Sequence, residues 1–479
     1  MRTRISRGIR AKTRRKRTGL KTGHYNSKEE RRLETGDKGK KDGGVNPPLH
    51  KSRVLSGMRP TGRLHIGHYF GALQNWVRLQ NDPAYDCFYF IADWHALTSD
   101  YADTSAVAEN TLQIMIDYLA AGLDPKKSVL FQQSVIPEHA ELHLLLSMVT
   151  PLGWLERVPT YKEALENVRD RDLHTYGFLG YPVLQTADIV MYGEPGMPLV
   201  VPVGEDQVSH VELSREIVRH FNGFFGFELD RAIFEPKNAR FLQVLYDHAP
   251  SALVQKEAWG GRKFVEHFES VFNQVRFESV LKQMAAGVGY GNFLDGLGEA
   301  AKFFTFRKRL NEPEVMLTKT PRIPGTDGRK MSKSYGNTIT LSESDADIRA
   351  KTKVMVTDPA RKRRTDPGNP DVCPVYDWHK LFSPKPTLDW AAHGCRTAEI
   401  GCIECKAKMA DHLIEWITPV RERRVDYEKH PKRVLEILDE GSKKARKVAQ
   451  GTMERVREAV FGWEKKRKEI DGSAGSAKA

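Results

Sequence analysis

The chain has 479 residues, of which 40% are hydrophobic and 29% are charged, as expected for a globular protein of two or three domains. No run approaches the roughly 18 uninterrupted apolar residues of a membrane-spanning helix, and the basic N-terminus has no apolar signal core, so we expect a cytoplasmic protein. The net charge of +13 lies mostly in residues 1–50, which hold 16 basic and 5 acidic residues. Basicity therefore does not by itself predict that the folded body binds nucleic acid.

Four segments are predicted from composition and hydrophobic pattern. Residues 1–50 are rich in Arg, Lys, Gly, Thr and Ser and lack apolar periodicity, which predicts a disordered extension. An arm that contacts RNA, a start codon placed too far upstream and an organellar transit peptide all remain open for it. We place a catalytic domain at 51–344, with an insertion of unassigned role at about 237–311. A helical domain follows at 345–465 and a disordered tail at 466–479.

Apolar runs of strand length alternate with helical patterns in the first part of the chain. The runs lie at 53–57, 87–92 and 129–131, and Thr104 or Ser105 could cap the helix that precedes the third run. This alternation predicts an α/β fold in which helices cover both faces of a parallel sheet. Ligands of such sheets bind beyond the carboxyl ends of the strands.

The loop after the first predicted strand has the composition of a phosphate-binding turn. It contains glycines and ends in His65-Ile66-Gly67-His68 at the start of a helical pattern. Glycine allows close backbone approach, and a helix N-terminus offers free N–H groups and a positive dipole end to phosphate. One histidine at a helix start is more often a cap or a surface residue, so the prediction rests on the pair.

A second short motif, Lys330-Met331-Ser332-Lys333-Ser334, lies in a loop between Gly328 and Gly336. Alone it is typical of a solvated surface loop. Together the two motifs resemble the HIGH and KMSKS signatures of class I aminoacyl-tRNA synthetases, and both signatures occur here literally. The resemblance implies a Rossmann-like catalytic domain, a C-terminal helical domain that binds the anticodon, and activation of an amino acid by ATP.

The resemblance also implies residue roles. In activation the amino-acid carboxylate attacks the α-phosphorus of ATP, so two anions must meet and positive charge matters most. The implied catalytic residues, which would stabilise the phosphates and the departing pyrophosphate, are His65, His68, Lys330 and Lys333. The implied ATP-binding residues are Arg59, Thr61, Gly67, His68, Asp206, Lys330, Met331, Ser332, Lys333 and Ser334. Mg²⁺ would accompany the ATP.

Segments 56–62, 93–98, 181–192 and 201–207 are similar to the tryptophanyl-tRNA synthetases. The similarity implies that Asp188 accepts the indole N–H, the single polar group of that ring. The implied tryptophan-binding residues are Leu55, Gly57, Tyr181, Gln185, Asp188, Val201, Val203 and Gln207.

Two positions depart from the tryptophan pattern. Arg59 stands where many members of the family have glutamine, and Gln185 where many have methionine. Glutamine three residues before the aspartate is also a feature of tyrosine enzymes, so tyrosine is the competing substrate. The segments 56–62 and 201–207 favour tryptophan.

Four cysteines are gathered late in the chain, with the spacing C-x21-C-x6-C-x2-C: Cys373, Cys395, Cys402 and Cys405. Four thiolates can hold Zn²⁺ or a [4Fe–4S] cluster, and the spacing alone does not choose between them. The segment 394–406 resembles the iron–sulfur version of the tryptophanyl enzymes, which implies a [4Fe–4S] cluster with a structural or anticodon-related role. Cys87, in an apolar run, is predicted to be a core residue.

The partners that the resemblance implies are L-tryptophan, ATP, tRNA(Trp) and a second copy of the chain in a homodimer. A non-charging paralogue that binds RNA is the alternative from another class, and it would be expected to lose one of the two motifs. A nucleotidyltransferase with the same HIGH-type fold is a further alternative, although such enzymes usually lack the long helical domain. No role is predicted for residues 237–311.

Overall fold

A parallel sheet of five strands lies at the centre of the computed structural model, which describes residues 51–167, 173–248, 271–318 and 323–476. Its strands are β1 Ser52–Met58, β2 Tyr85–Ile91, β3 Ser128–Gln132, β4 Leu199–Val203 and β7 Pro313–Leu317. They lie in the order β3-β2-β1-β4-β7. The order reverses between β1 and β4, which opens a crevice at their carboxyl ends. The predicted α/β fold and its first three strands are confirmed.

The helices surround this sheet. In the described part of the chain the α-helices are α1 Ile66–His68, α2 Gln74–Gln80, α3 Asp93–Asp100, α4 Val107–Ala120, α5 Glu138–Ser147, α6 Leu152–Leu155, α7 Pro159–Asn167, α8 Tyr176–Val190, α9 Val208–Phe225, α10 Ala239–His248, α11 Val271–Val288, α12 Tyr290–Leu297, α13 Asp345–Lys353, α14 Pro374–Phe382, α15 Lys385–Arg396, α16 Cys402–Lys429, α17 Pro431–Phe461 and α18 Trp463–Ser476. A π-helical turn, Tyr69–Leu73, joins α1 to α2. None of these helices is long and apolar enough to cross a membrane.

The strands are buried because helices cover both faces of the sheet, so their side chains are apolar in continuous runs. In β2 every residue from Cys87 to Ile91 is buried. Cys87 is a core residue, as predicted, and burial raises the pKa of its thiol to about 11.

The C-terminal helices complete the core on the two faces. Leu413 and Ile417 of α16 pack in one hydrophobic cluster with residues of α2 and α4. Ala445, Ala449 and Met453 of α17 pack in the other with residues of α5 and α8. The helical C-terminal region is therefore confirmed, and its helices are built onto the sheet.

The insertion has a core of its own. Strand β5 Phe227–Leu229 pairs antiparallel with β6 Phe304–Phe306. The two ends of the insertion therefore lie side by side. Phe241, Phe277 and Phe303 pack together above this pair.

Two local expectations are wrong. No side chain caps α4, which begins after Ala106, because the Ser105 hydroxyl donates to Asp103 Oδ1 at 2.6 Å. The segment 466–479, expected to be a disordered tail, is helical as far as Ser476. Its run of Glu, Lys and Arg favours a helix and includes an ion pair between Arg467 and Glu464. The predicted extension 1–50 lies outside the described residues.

Candidate active site

Two adjoining cavities lie at the carboxyl ends of β1 and β4. The larger, about 1150 Å³, is lined by both nucleotide motifs. The smaller, about 530 Å³, extends between β1, β4 and α8. Both are lined by Arg59, Gly71 and Gly204, so the two cavities adjoin each other. The crevice expected from the strand order is therefore where the motif residues meet.

The histidines of the 65–68 segment form the floor of the larger cavity. Their ring centroids are 3.7 Å apart, and the backbone N–H of His65 donates to Nδ1 of His68. Burial, together with the nearby Lys333, lowers the pKa of His65 to about 4. Burial and the charges of His65 and Lys333 hold the pKa of His68 well below its usual value. Both rings are therefore neutral at pH 7 and can offer N–H donors without a positive charge.

Lys333 connects the second motif to the first. Its Nζ donates to the carbonyl of Gly62 at 2.7 Å and to that of Thr61 at 3.1 Å. Burial lowers the pKa of Lys333 to about 8, and the charge of Asp117 opposes that change. The amine therefore remains mostly protonated at neutral pH and supplies the charge that the histidines lack.

The loop carrying the second motif is held by Asn337, which is 2% exposed. Its Oδ1 accepts the N–H of Ser332 at 2.8 Å, and its Nδ2 donates to Asp327 Oδ1 at 2.7 Å and to the carbonyl of Lys330. Ser334 lies in the short turn Lys333–Tyr335.

Most predicted ATP-binding residues line the larger cavity: Arg59, Thr61, Gly67, His68, Asp206, Lys330, Met331, Ser332 and Lys333. All the predicted tryptophan-binding residues line the smaller cavity: Leu55, Gly57, Tyr181, Gln185, Asp188, Val201, Val203 and Gln207. The structure thus brings residues of strands β1 and β4, helix α8 and the two motif segments together as the sequence predicts.

Asp188, on α8, lies at the closed end of the smaller cavity and is 1% exposed. Its Oδ1 is 2.6 Å from Nδ1 of His139 and its Oδ2 is 2.9 Å from Nε2 of His95. Gln133 Nε2 donates to both oxygens, at 2.8 and 2.7 Å. Burial alone would raise the pKa of Asp188, but His139 and His95 lower it to about 2. The carboxylate is therefore ionised, and an indole N–H would share an oxygen with these partners or replace one.

Sequence reasoning missed the partners of Asp188. His139 also contacts the hydroxyl of Tyr192, at 2.7 Å, so a chain of polar groups lies behind the cavity. Gln133 follows β3 at its carboxyl end, and that position is the one signal that could have identified it.

The hydroxyl of Tyr181 also has buried polar neighbours. It lies 2.8 Å from Nε2 of His210 and 2.6 Å from the hydroxyl of Thr160. Burial raises the pKa of Tyr181. This side chain therefore presents its ring to the cavity while its polar end is satisfied.

The four late cysteines are near one another, around the start of α14, the end of α15 and the start of α16. Burial, and then the three other cysteines, raises the pKa of Cys405 to about 12. Nη1 of Arg361 lies 3.8 Å from Sγ of Cys395. Within the described residues, however, no group of three or more His, Cys, Asp or Glu side chains is arranged to hold a metal ion.

Comparison with known proteins places this site in a family. The family model described as tRNA synthetases class I (W and Y) matches residues 48–251 and 299–418, leaving most of the insertion unmatched. The tryptophan–tRNA ligase of Ralstonia nicotianae is 48% identical over 419 residues, 86% of this chain and 99% of that protein. That of Thermotoga maritima is 42% identical over 409 residues, 85% and 98% of the two chains.

A solved structure gives the same result. The tryptophanyl-tRNA synthetase of Campylobacter jejuni, complexed with ADP and tryptophan, is 28% identical, with a TM-score of 0.60. The match covers 85% of this chain and 99% of that chain. The chain therefore belongs to the class I tRNA synthetases of the tryptophan and tyrosine type, and within them to the tryptophan–tRNA ligases.

Proposed function

We propose that the chain activates L-tryptophan with ATP at this site and transfers the tryptophanyl group to tRNA(Trp). The first step releases diphosphate and the second releases AMP. The observation that carries the proposal is that the two cavities adjoin, because the carboxylate of an amino acid in the smaller cavity would then lie near phosphates bound in the larger one. Asp188 lines the smaller cavity and Lys333 the larger.

Each group has a role that its environment supports. The tryptophan ring would fill the smaller cavity, with its N–H on Asp188 and its amino-acid end near Gln207. The neutral rings of His65 and His68 would donate to phosphate oxygens. Lys333 would leave the carbonyls of Thr61 and Gly62 and bind the departing pyrophosphate. A phosphate anion binds a protonated amine more strongly than a neutral carbonyl does. Mg²⁺ would arrive with the ATP, and no residue is assigned to it.

Exchange of pyrophosphate into ATP tests the first step. We expect exchange that depends on tryptophan and is much slower with tyrosine, as the similarity to the tryptophan–tRNA ligases implies. Faster exchange with tyrosine would contradict the choice of substrate. Exchange without charging of tRNA(Trp) would instead favour the alternative of a paralogue that does not charge tRNA.

We propose that residues 345–465 form the anticodon-binding domain. Support comes from their helical structure and from the exposed basic side chains of Lys362, Arg363 and Arg364, which suit a phosphate backbone. Replacing these three by alanine should raise KM for tRNA and leave pyrophosphate exchange unchanged. An unchanged KM for tRNA would contradict the role of this surface.

For the cysteines we propose a [4Fe–4S] cluster with a structural or anticodon-related role, with Zn²⁺ as the alternative. The chemistry of the donor set supports the proposal, because four thiolates can hold such a cluster and the buried guanidinium of Arg361 lies 3.8 Å from Cys395 Sγ. Cys373, Cys395, Cys402 and Cys405 would hold it. Gly368 supports close packing there, since a Cβ at that position would lie 2.7 Å from Cys395 Sγ.

Anaerobic purification tests this cluster. We expect iron and sulfide by elemental analysis, with broad absorbance near roughly 400 nm. Cys405→Ser should lose both, whereas Cys87→Ala, at the core cysteine, should keep both. Stoichiometric zinc without iron would contradict the iron–sulfur proposal.

We also propose a homodimer formed through α5, α6 and the start of α8. Four large apolar side chains are exposed there: Leu144 (53%), Met148 (72%), Leu152 (63%) and Tyr176 (66%). Exposed apolar clusters of this kind mark contact surfaces. Light scattering should give twice the chain mass, and Met148→Lys with Leu152→Lys should give a monomer. Ile470→Lys, at another exposed apolar residue, is the control, and a monomeric wild type would contradict the proposal.

A further inference from the structure

A buried ion pair lies behind the 65–68 segment and outside both cavities. It joins Asp117 of α4 to Arg424 of α16, with Oδ1 and Nη1 2.6 Å apart. The two side chains are 0% and 1% exposed. Neither residue is in a motif, and neither lines the cavities. Their contacts nevertheless lead directly to the first motif.

The second oxygen of Asp117 holds the backbone beside His65. The N–H of Leu64 donates to Oδ2 at 2.7 Å, and the carbonyl of Leu64 accepts from Leu341 at 2.8 Å. The peptide groups on both sides of Leu64 are thereby fixed. Because His65 follows at once, the direction of its ring depends on where the Asp117 carboxylate lies.

Arg424 is itself held firmly. Its Nη2 contacts Gln113 Oε1 and lies 3.1 Å from Glu428 Oε1, while Nη1 also donates to the carbonyl of Gln113. A guanidinium has donors in a planar fork, so it can satisfy these acceptors and Asp117 together, which an ammonium cannot. The position of Asp117 is therefore set from helix α16.

The same carboxylate acts on the second motif. Its charge is close enough to Lys333 to oppose the effect of burial on that amine. Lys333 in turn contacts the carbonyl of Gly62, two residues before Leu64. Asp117 thus supports the backbone of one motif and the charge of the other.

We propose that Arg424 is a positioning residue for amino-acid activation, which acts by fixing Asp117 and, through Leu64, the 65–68 segment. This rests on the proposed activation of tryptophan at the site. Without Arg424 the carboxylate would be a buried unpaired charge and would turn toward water or bind a proton. Leu64 and His65 would then lose their fixed position, and a displacement of about 1 Å near reacting groups can cost on the order of 100-fold in rate.

Four variants test the proposal by pyrophosphate exchange and thermal unfolding. Arg424→Met should lower kcat about 10- to 100-fold and leave KM for tryptophan within about 2-fold, because the tryptophan cavity is separate. Arg424→Lys should recover part of kcat. Arg423→Met, at the preceding residue of α16, is the matched control. The Arg423 side chain donates to the carbonyl of Ala120, away from the cavities, so kcat should stay at the wild-type value.

The double variant Arg424→Met/Asp117→Leu separates positioning from stability. Replacing both buried charges by apolar groups should restore the melting temperature that Arg424→Met loses. It should not restore kcat, since Leu64 still lacks its acceptor. Recovery of kcat together with the melting temperature would overturn the proposal, as would wild-type kcat in Arg424→Met. If the wild type itself shows no exchange, the proposed function fails instead.

Discussion

At residue 67 the absence of a side chain lets two parts of the site touch. A Cβ there would lie 2.9 Å from His65 Nδ1 and 3.4 Å from Met331 Sδ. We expect Gly67→Ala to displace the His65 ring and lower kcat/KM for ATP in pyrophosphate exchange on the order of 10- to 100-fold. Gly291→Ala, on helix α12 of the insertion, where a Cβ would meet nothing within 4 Å, should keep wild-type kinetics. Unchanged kinetics of Gly67→Ala would show that the ring is not confined.

Asn337 organises the loop that carries the second motif, the element that we propose binds the phosphates of ATP. The side-chain amide of Asn337 forms hydrogen bonds with Asp327, Lys330 and Ser332. Asn337→Ala should therefore let the loop sample other conformations. We expect kcat of exchange to fall about 10- to 100-fold, with faster proteolysis within the loop. Asn238→Ala, which removes a similar side-chain bond to Ala232 in the insertion, should leave kcat unchanged.

Helix α17 crosses strand β3 at close range. A Cβ at Gly441 would lie 1.8 Å from the carbonyl oxygen of Leu130, so the helix would have to move away from the sheet. Gly441→Ala should therefore lower the free energy of unfolding by about 3 kcal/mol or more. In the same helix a Cβ at Gly451 would lie 4.0 Å from its nearest neighbour, Arg455. Gly451→Ala should therefore raise the free energy of unfolding by about 0.5–1 kcal/mol. Chemical denaturation of both variants measures the contrast.

For the whole molecule, Asp188 links the site to acid stability. Its folded-state pKa of about 2 lies below the ordinary value of 3.8, so the folded protein binds this proton less readily than the unfolded chain. Its stabilisation, about 2 kcal/mol, is present above about pH 4 and is lost as the pH falls toward about 2. The difference in unfolding free energy between wild type and Asp188→Asn should shrink between pH 5 and pH 3. A constant difference would contradict this linkage.

The sequence by itself determined those features that depend on neighbouring residues. The two motifs are short and contiguous. Strands β1, β2 and β3 are continuous apolar runs, as expected where both faces of a sheet are covered. They were sufficient to predict the fold, and most of the site residues that the motifs and the neighbouring segments predict do line the two cavities. The predicted cap of α4 and the predicted disordered tail at 466–479 were wrong, because each feature depends on a few local bonds. One of them is the hydrogen bond from Ser105 to Asp103.

Only the tertiary structure decided which distant residues meet. Asp188 is 49 residues from His139 and 55 from Gln133, and Asp117 is 307 from Arg424. No spacing in the sequence encodes such contacts, because they follow from how α4, α8 and α16 pack on the sheet. Burial also made His65 and His68 neutral, whereas the sequence suggested only donors near phosphate. The motifs thus specify the chemistry, and the packing of the helices specifies how their side chains are charged and held.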